Sequence, residues 1–239
     1  IKKSFETIKK TRKPEEINNF LIKLSKNPIE EYLIFLDFFI KNLETQIFDK
    51  IKLNLIFLLG EIGKSTPLQQ DYLEFISDSY YVSDRWIRNE IIQTINKIST
   101  QSELSEKIIE LIGYAINDEY TPIRNNALKI LLKLEVFPNV KNIFQILNSK
   151  DSELVENGLE ILTKFIPNSA RLFDSLNSSN NYKILKIKAI RTVLLICFNS
   201  LIYLESLRDL ILKSSWEKNY KEIYLKEIDT YERILLKKI

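Results

Sequence analysis

The chain has no histidine, no methionine, one cysteine, four glycines and six prolines in 239 residues. Each shortage excludes something. Without histidine, the usual general base near neutral pH and the commonest metal ligand are both missing. With Cys197 alone, no disulfide can form within the chain, and no Cys/His set exists to hold zinc. Cys197 lies in the apolar run Val193-Leu194-Leu195-Ile196-Cys197-Phe198, which predicts a buried core thiol rather than a reactive one. Sheet proteins with many turns need more glycine and proline than this. No apolar run approaches the ~18–20 residues that a membrane span requires, and no leader pattern opens the sequence. The chain is therefore expected to be soluble and cytoplasmic, with no membrane partner. There is no Gly-rich phosphate loop either. Gly60-Glu61-Ile62-Gly63 is expected to end a helix, with Gly63 just past its last turn.

Apolar residues make up 45% and charged residues 28%, which provides for both a core and a solvated surface and argues against disorder. The net charge is +3. That balance permits nucleic-acid binding but falls short of the strong basic bias that would argue for it.

The organising feature is a repeat. Ile87, Ile91, Ile92, Ile95 and Ile98 stand at offsets 0, 4, 5, 8 and 11, the pattern of one helix face. The same offsets 36 residues later give Ile123, Ala127, Leu128, Leu131 and Leu134, and 36 residues earlier Ile51, Leu55, Ile56, Leu59 and Ile62. Steps of 31 residues then give Leu154, Gly158, Leu159, Leu162 and Phe165, and Leu185, Ala189, Ile190, Val193 and Ile196. A weaker copy is Ile223, Glu227, Ile228, Tyr231 and Ile234, with Glu227 where the others are apolar or small. Small residues at offset 4 (Ala127, Gly158 and Ala189) predict close approach by a neighbouring helix.

Second amphipathic stretches alternate with these, at about 29–43, 67–79, 103–117, 138–149, 169–178 and 201–213. Each unit is thus helix–turn–helix, and since neither helix can bury its face alone, the units must stack. Thr66-Pro67, Asn27-Pro28 and Thr121-Pro122 are expected as N-cap plus first helical residue. Lys13-Pro14-Glu15-Glu16 is expected to open a helix with acids at its positive end, while Phe137-Pro138 and Ile166-Pro167 fall between helices.

The period, the two-helix unit and the pattern of the second helix resemble HEAT repeats. The match is best at Asp118-Glu119-Tyr120-Thr121-Pro122-Ile123-Arg124-Asn125-Asn126-Ala127-Leu128, which resembles that family's turn Asp, branched apolar–Arg pair and Ala. Ile87-Arg88, Ile51-Lys52 and Leu185-Lys186 keep the apolar–basic pair, whereas Leu154-Val155 and Ile223-Tyr224 depart from it. The turn Asp shifts to Asp84 in one unit and is missing from the first. The resemblance covers about residues 29–200. It implies an all-α, right-handed α-α superhelix, a solenoid of five to six HEAT-like helix pairs forming a single repeat domain over 1–239. Residues 1–28 would make an N-terminal cap with a helix from about Pro14 to Lys26. Residues 29–200 would be core repeats, and 201–239 the last repeat and a C-terminal cap with one long helix from about 217, Lys237 and Lys238 lending it a polar outer face.

Candidate binding residues follow from three features. The basic residues at offset 1 (Lys52, Arg88, Arg124 and Lys186) are expected to line up from unit to unit. Two readings are open: a structural ladder, each paired with a turn acid such as Asp118 or Asp84, or a ligand-facing row. No acid occurs between Asp174 and Glu205, while Lys183, Lys186, Lys188 and Arg191 do, and Lys2, Lys3, Lys9, Lys10, Arg12 and Lys13 make the start basic too. Such clusters are either phosphate sites or solvated faces. Tyr80-Tyr81-Val82-Ser83-Asp84-Arg85-Trp86 gathers aromatic and arginine side chains, the typical binding anchors, in one turn. They either fill a groove between repeats or form an exposed interaction edge. No catalytic residue, metal ligand or cofactor is expected. The resemblance implies a protein–protein scaffold or adaptor acting through Tyr80, Tyr81, Arg85, Trp86, Arg88, Arg124, Lys186 and Arg191. The alternative is a nucleic-acid binder, in the extreme an alkylation-repair DNA glycosylase of HEAT-like build using Asp84, Trp86 and Arg88.

Overall fold

The computed structural model describes residues 1–101, 104–197 and 200–237. Among these, fourteen α-helices and two short 3-10 segments occur and no strand. In chain order they are α1 (Lys2–Thr11), α2 (Pro14–Ser25), α3 (Leu33–Asn42), α4 (Thr45–Gly63), α5 (Gln70–Tyr81), α6 (Arg85–Ile98) and α7 (Glu106–Ala115). Then follow α8 (Thr121–Leu134), α9 (Val140–Leu147), α10 (Ser152–Phe165), α11 (Ser169–Asn177), α12 (Ile187–Cys197), α13 (Leu201–Lys213) and α14 (Lys218–Leu236). The helix–turn–helix alternation predicted from periodicity is present throughout. The expected buried thiol of Cys197 and the polar end at Lys238 fall on side chains outside those described. Among the described residues, no helix is long and apolar enough to cross a membrane.

Two compact units divide the chain, Ile1–Ala127 and Leu128–Ile239, with the boundary inside α8. In the first, α4 packs between α2 and α6, with α1, α3 and α5 against α2, α4 and α6 respectively. In the second, α12 packs between α10 and α14, while α9 covers α10 and α13 covers α14. The repeat face is what these helices bury: Ile51, Leu55, Ile56, Leu59 and Ile62 on α4, and Ile91, Ile92, Ile95 and Ile98 on α6. Each such side chain stabilises the fold by about 1.5–3 kcal/mol on transfer grounds. Side-chain hydrogen bonds within each unit join residues roughly one repeat apart. Asn54 Nδ2 donates to Asn18 Oδ1 at 2.8 Å, and the Thr94 hydroxyl to the Ile56 carbonyl at 3.2 Å. In the second unit Asn148 Nδ2 donates to the Ile184 carbonyl (2.8 Å) and the Tyr224 hydroxyl to that of Tyr182 (2.9 Å).

Several local expectations need correction. The start is a helix pair, because Lys2–Thr11 is itself helical, and Ile17, Phe20, Leu21 and Leu24 of α2 are buried. Pro14 does open α2, with Glu15 and Glu16 in the first turn. Pro67 and Pro28 do not open helices. The backbone is extended at Gln69 before α5 and at Ile29 before a 3-10 turn at Glu30–Tyr32. Thr121 lies inside α8 rather than capping it. Gly63 is the last residue of α4, and no glycine has positive φ. Gly60 and Gly63 serve close approach instead. A Cβ on Gly60 would stand 2.7 Å from Thr94 Oγ1, and one on Gly63 2.4 Å from Ile98 Cγ2, both on α6. The close packing expected at Gly158 is present, a Cβ there meeting Ile146 Cγ2 at 3.1 Å.

Candidate functional site

The turn between α5 and α6 in the first unit is built around a buried acid. Asp84 caps α6, its carboxylate accepting the Trp86 and Ile87 amides at 2.9 and 3.0 Å. Since α6 begins at Arg85, Arg88 comes one turn later and reaches back over the helix start. Asp118, in the middle of the α7–α8 turn, meets it there. Arg88 Nε donates to Asp118 Oδ2 at 2.8 Å and a terminal guanidinium nitrogen to Oδ1 at 3.1 Å. The Tyr80 hydroxyl donates to Oδ2 at 2.6 Å, and the Tyr120 amide to Oδ1 at 2.9 Å. Arg88 also donates to the Ser83 carbonyl and, at 3.3 Å, to Glu119.

The electrostatics follow from this geometry. Burial alone would push the Asp118 carboxyl upward, but the Arg88 and Tyr80 donors and the Tyr120 amide hold it below the usual carboxylate range. Burial first, and the adjacent Asp118 second, push the Tyr80 hydroxyl far above its ordinary value. The Asp118 hydrogen bond raises Arg88. The cluster is thus a satisfied, fixed charge pair with a neutral phenol, and its groups do not titrate near neutral pH.

Around this buried centre the aromatic residues divide. Tyr80 is buried. Tyr81, Trp86 and Tyr114 are 54%, 56% and 59% exposed, and Val82 protrudes between them at 77%. Tyr81 and Tyr114 meet with ring centroids 5.5 Å apart, tilted by 59°. The Arg85 guanidinium lies 4.9 Å over the Trp86 ring and 5.7 Å over that of Tyr120. Tyr80, Tyr81, Arg88, Tyr114, Asn117, Asp118 and Glu119 line a cleft of about 350 Å³. Within the Tyr80–Trp86 segment, Tyr80 packs inside while Tyr81 and Trp86 face out. Tyr114 and Glu119 belong to the same surface but come from α7 and the turn after it. Sequence reasoning missed Tyr114; its signal was the aromatic at one end of the α7 pattern, 34 residues after Tyr80.

The basic residues do not behave as one row. Arg88 is a ladder contact. Lys52 is buried and pairs within its own helix with Asp49 at 3.0 Å. Arg124 is half-buried and donates to Thr121 Oγ1 at 2.9 Å, while its Nε is buried with no hydrogen-bond partner among the described residues. Lys186 is not on α12, which starts at Ile187; its amide donates to Asn148 Oδ1 at 2.9 Å and its exposed side chain forms no ion pair among the described residues. In the second unit, Arg191 pairs with the buried Glu227 of α14, and Lys183 with Glu217. Glu227, the one acid on a repeat face, is explained by that partner. The acid-free stretch in sequence is thus partly neutralised by acids 34 and 36 residues downstream.

A larger groove, about 1160 Å³, opens in the first unit between α1 and the segment around α3, with Phe5, Tyr32, Phe35, Phe38 and Tyr72 in its walls. Among the described residues, no group of three His, Cys, Asp or Glu side chains is placed to hold a metal ion. No family model matches the chain, and no curated protein matches it.

Proposed function

We propose that the protein is a non-enzymatic interaction scaffold, a solenoid of HEAT-like helix pairs that binds a protein partner through the exposed edge at Tyr81, Val82, Trp86 and Tyr114. The exposure of that aromatic group carries the reading. Large aromatic side chains left half in water beside a rigid, fully hydrogen-bonded anchor are the composition of binding hot spots. The solenoid part is supported by the neighbour pattern within each unit, where every second helix packs on the next one along, and by hydrogen bonds spanning about one repeat. The cytoplasm suits a chain that can form no internal disulfide.

The competing nucleic-acid reading needs basic side chains on one face free of acids. Arg88, Arg191 and Lys183 each have a carboxylate partner, and Asp84 is engaged as a helix cap, which leaves the glycosylase variant without an available acid at that turn. Lys186 and Lys188, both exposed, remain on its side.

The test is capture of partners from native lysate on the tagged chain, with and without nuclease, in parallel with a Tyr81→Ala/Trp86→Ala variant. Discrete proteins that survive nuclease and are lost from the variant are expected. Recovery that collapses with nuclease overturns the scaffold reading and makes DNA or RNA the ligand.

A further inference from the structure

We propose that the cleft between Tyr81, Tyr114 and Glu119 takes an arginine side chain from a basic peptide segment of a protein partner. This rests on the protein-binding reading above and adds the chemistry of what is bound.

Size comes first. A cleft of about 350 Å³ stands at the small end of ligand sites. It suits a single side chain rather than a helix or a large cofactor.

Charge comes second. Four hydrogen bonds occupy the Asp118 carboxylate: two from Arg88, one from Tyr80 and one from the Tyr120 amide. That carboxylate and Arg88 neutralise each other. Glu119 remains, 84% exposed, with a single 3.3 Å contact from Arg88. The lining therefore carries one uncompensated negative charge at its rim. This disfavours a phosphate backbone and favours a cation.

Shape decides which cation. The walls are the exposed rings of Tyr81 and Tyr114, with Tyr80 at the base, its ring 5.7 and 6.3 Å from theirs. The Tyr81 and Tyr114 hydroxyls make no hydrogen bond among the described residues. A guanidinium is planar and weakly hydrated; it lies on aromatic faces and forks a carboxylate at the same time. An ammonium does only the first of these well. The same turn already shows the contact within the chain, where Arg85 lies over Trp86 and Tyr120.

The test titrates the ¹⁵N-labelled chain, residues 1–239, with the blocked peptide Gly-Ser-Arg-Ser-Gly, and with versions carrying lysine or citrulline in place of arginine. Amide shifts should saturate for the arginine peptide and stay within residues 80–88 and 112–120. Citrulline keeps the shape and loses the charge, so its peptide should bind on the order of tenfold more weakly. Glu119→Gln, at an exposed position, should weaken the arginine peptide about threefold. Tyr114→Ala should weaken it on the order of tenfold. Thermal melts of both variants confirm that the fold is intact. Equal shifts from arginine and citrulline, shifts elsewhere on the chain, or none by about 10 mM peptide overturn the inference. So does a single-stranded RNA oligomer that perturbs the same amides at lower concentration. If Glu119→Gln and Tyr114→Ala leave partner capture intact while Trp86→Ala abolishes it, the scaffold reading stands and the arginine pocket falls. If capture itself collapses with nuclease, the scaffold reading falls first.

Discussion

Asp118 accepts four hydrogen bonds in the first unit. It ties the start of α6 to the α7–α8 turn and neutralises an arginine that is itself largely buried. Asp118→Ala leaves Arg88 without its main counter-charge and the Tyr80 hydroxyl without its acceptor, at a cost of about 3 kcal/mol. Urea unfolding should show that as a lowered midpoint with an unchanged slope. Tyr80→Phe keeps the packing and removes one donor, so it should cost about 1 kcal/mol. The pH dependence has a definite sign. The folded pKa of Asp118 is depressed, so its contribution is present above the unfolded value of about 3.9 and is lost as pH falls through the folded one. Tyr80 acts at the other end. Its folded pKa is raised, so stability is lost as pH rises past the unfolded value of about 10. Asp118→Asn should flatten part of the acid limb; Glu61 and Glu16, also depressed, contribute to the rest. The two tryptophans offer a separate check: Trp86 is exposed, whereas Trp216 is buried, stacked between Phe173 and Tyr182 and donating to Asn177 at 2.9 Å. Iodide should quench one component of the fluorescence, and Trp86→Phe should remove that component.

At the scale of elements, the contact between α4 and α6 depends on what is missing from α4. Gly60 costs the helix interior about 1 kcal/mol relative to alanine, and it and the terminal Gly63 stand where the Thr94 and Ile98 side chains come closest. Gly63→Ala places a methyl into the Ile98 side chain. Overpacking of about 1–3 kcal/mol then exceeds the propensity gain, and the melting temperature should fall. Adding Ile98→Ala removes the atoms in conflict, so the double variant should lose less than the sum of the singles. A double variant that is fully additive would show that the two helices do not meet there. The α12–α14 contact in the second unit adds an ion pair, Arg191 with Glu227, to its buried apolar residues. Glu227→Ala leaves Arg191, already well exposed, free to hydrate, so its cost should be nearer 1 kcal/mol than the Asp118 value.

For the whole molecule, the hydrogen-bonded helices within each unit link residues about one repeat apart, so order builds from near neighbours. Native-state hydrogen exchange should be slowest along Ile51–Ile62 of α4 and Ile91–Ile98 of α6, which have the most fully buried faces in the first unit. The basic balance of +3 is spread over the chain, and part of it is paired, as in Lys97 with Glu61 and Lys164 with Glu135. Partner capture that depends on the aromatic edge should therefore survive moderate salt, whereas phosphate binding would decline steeply with it.

The period of 31 to 36 residues and the offsets within it were sufficient to place the paired helices from α3 to α14, because burying one face of a helix imposes its spacing on the chain. They did not reveal the α1–α2 pair. Stepping back 36 residues from Ile51 lands on Glu15, Asn19, Phe20, Lys23 and Lys26, where a single position is apolar, since α2 meets α4 with a face set in a different register. The sequence also showed that aromatics and arginines gather at Tyr80–Trp86 and proposed Asp118 as a partner for a ladder arginine. Which tyrosine turns inward, that Tyr114 joins the outer ones, that Lys186 falls off its helix, and that Glu217 and Glu227 answer Lys183 and Arg191 were decided by tertiary structure alone. The physical reason is range. Helical periodicity is enforced by neighbours three and four residues away and is written locally, whereas exposure and charge pairing depend on side chains a whole repeat distant that share no local pattern.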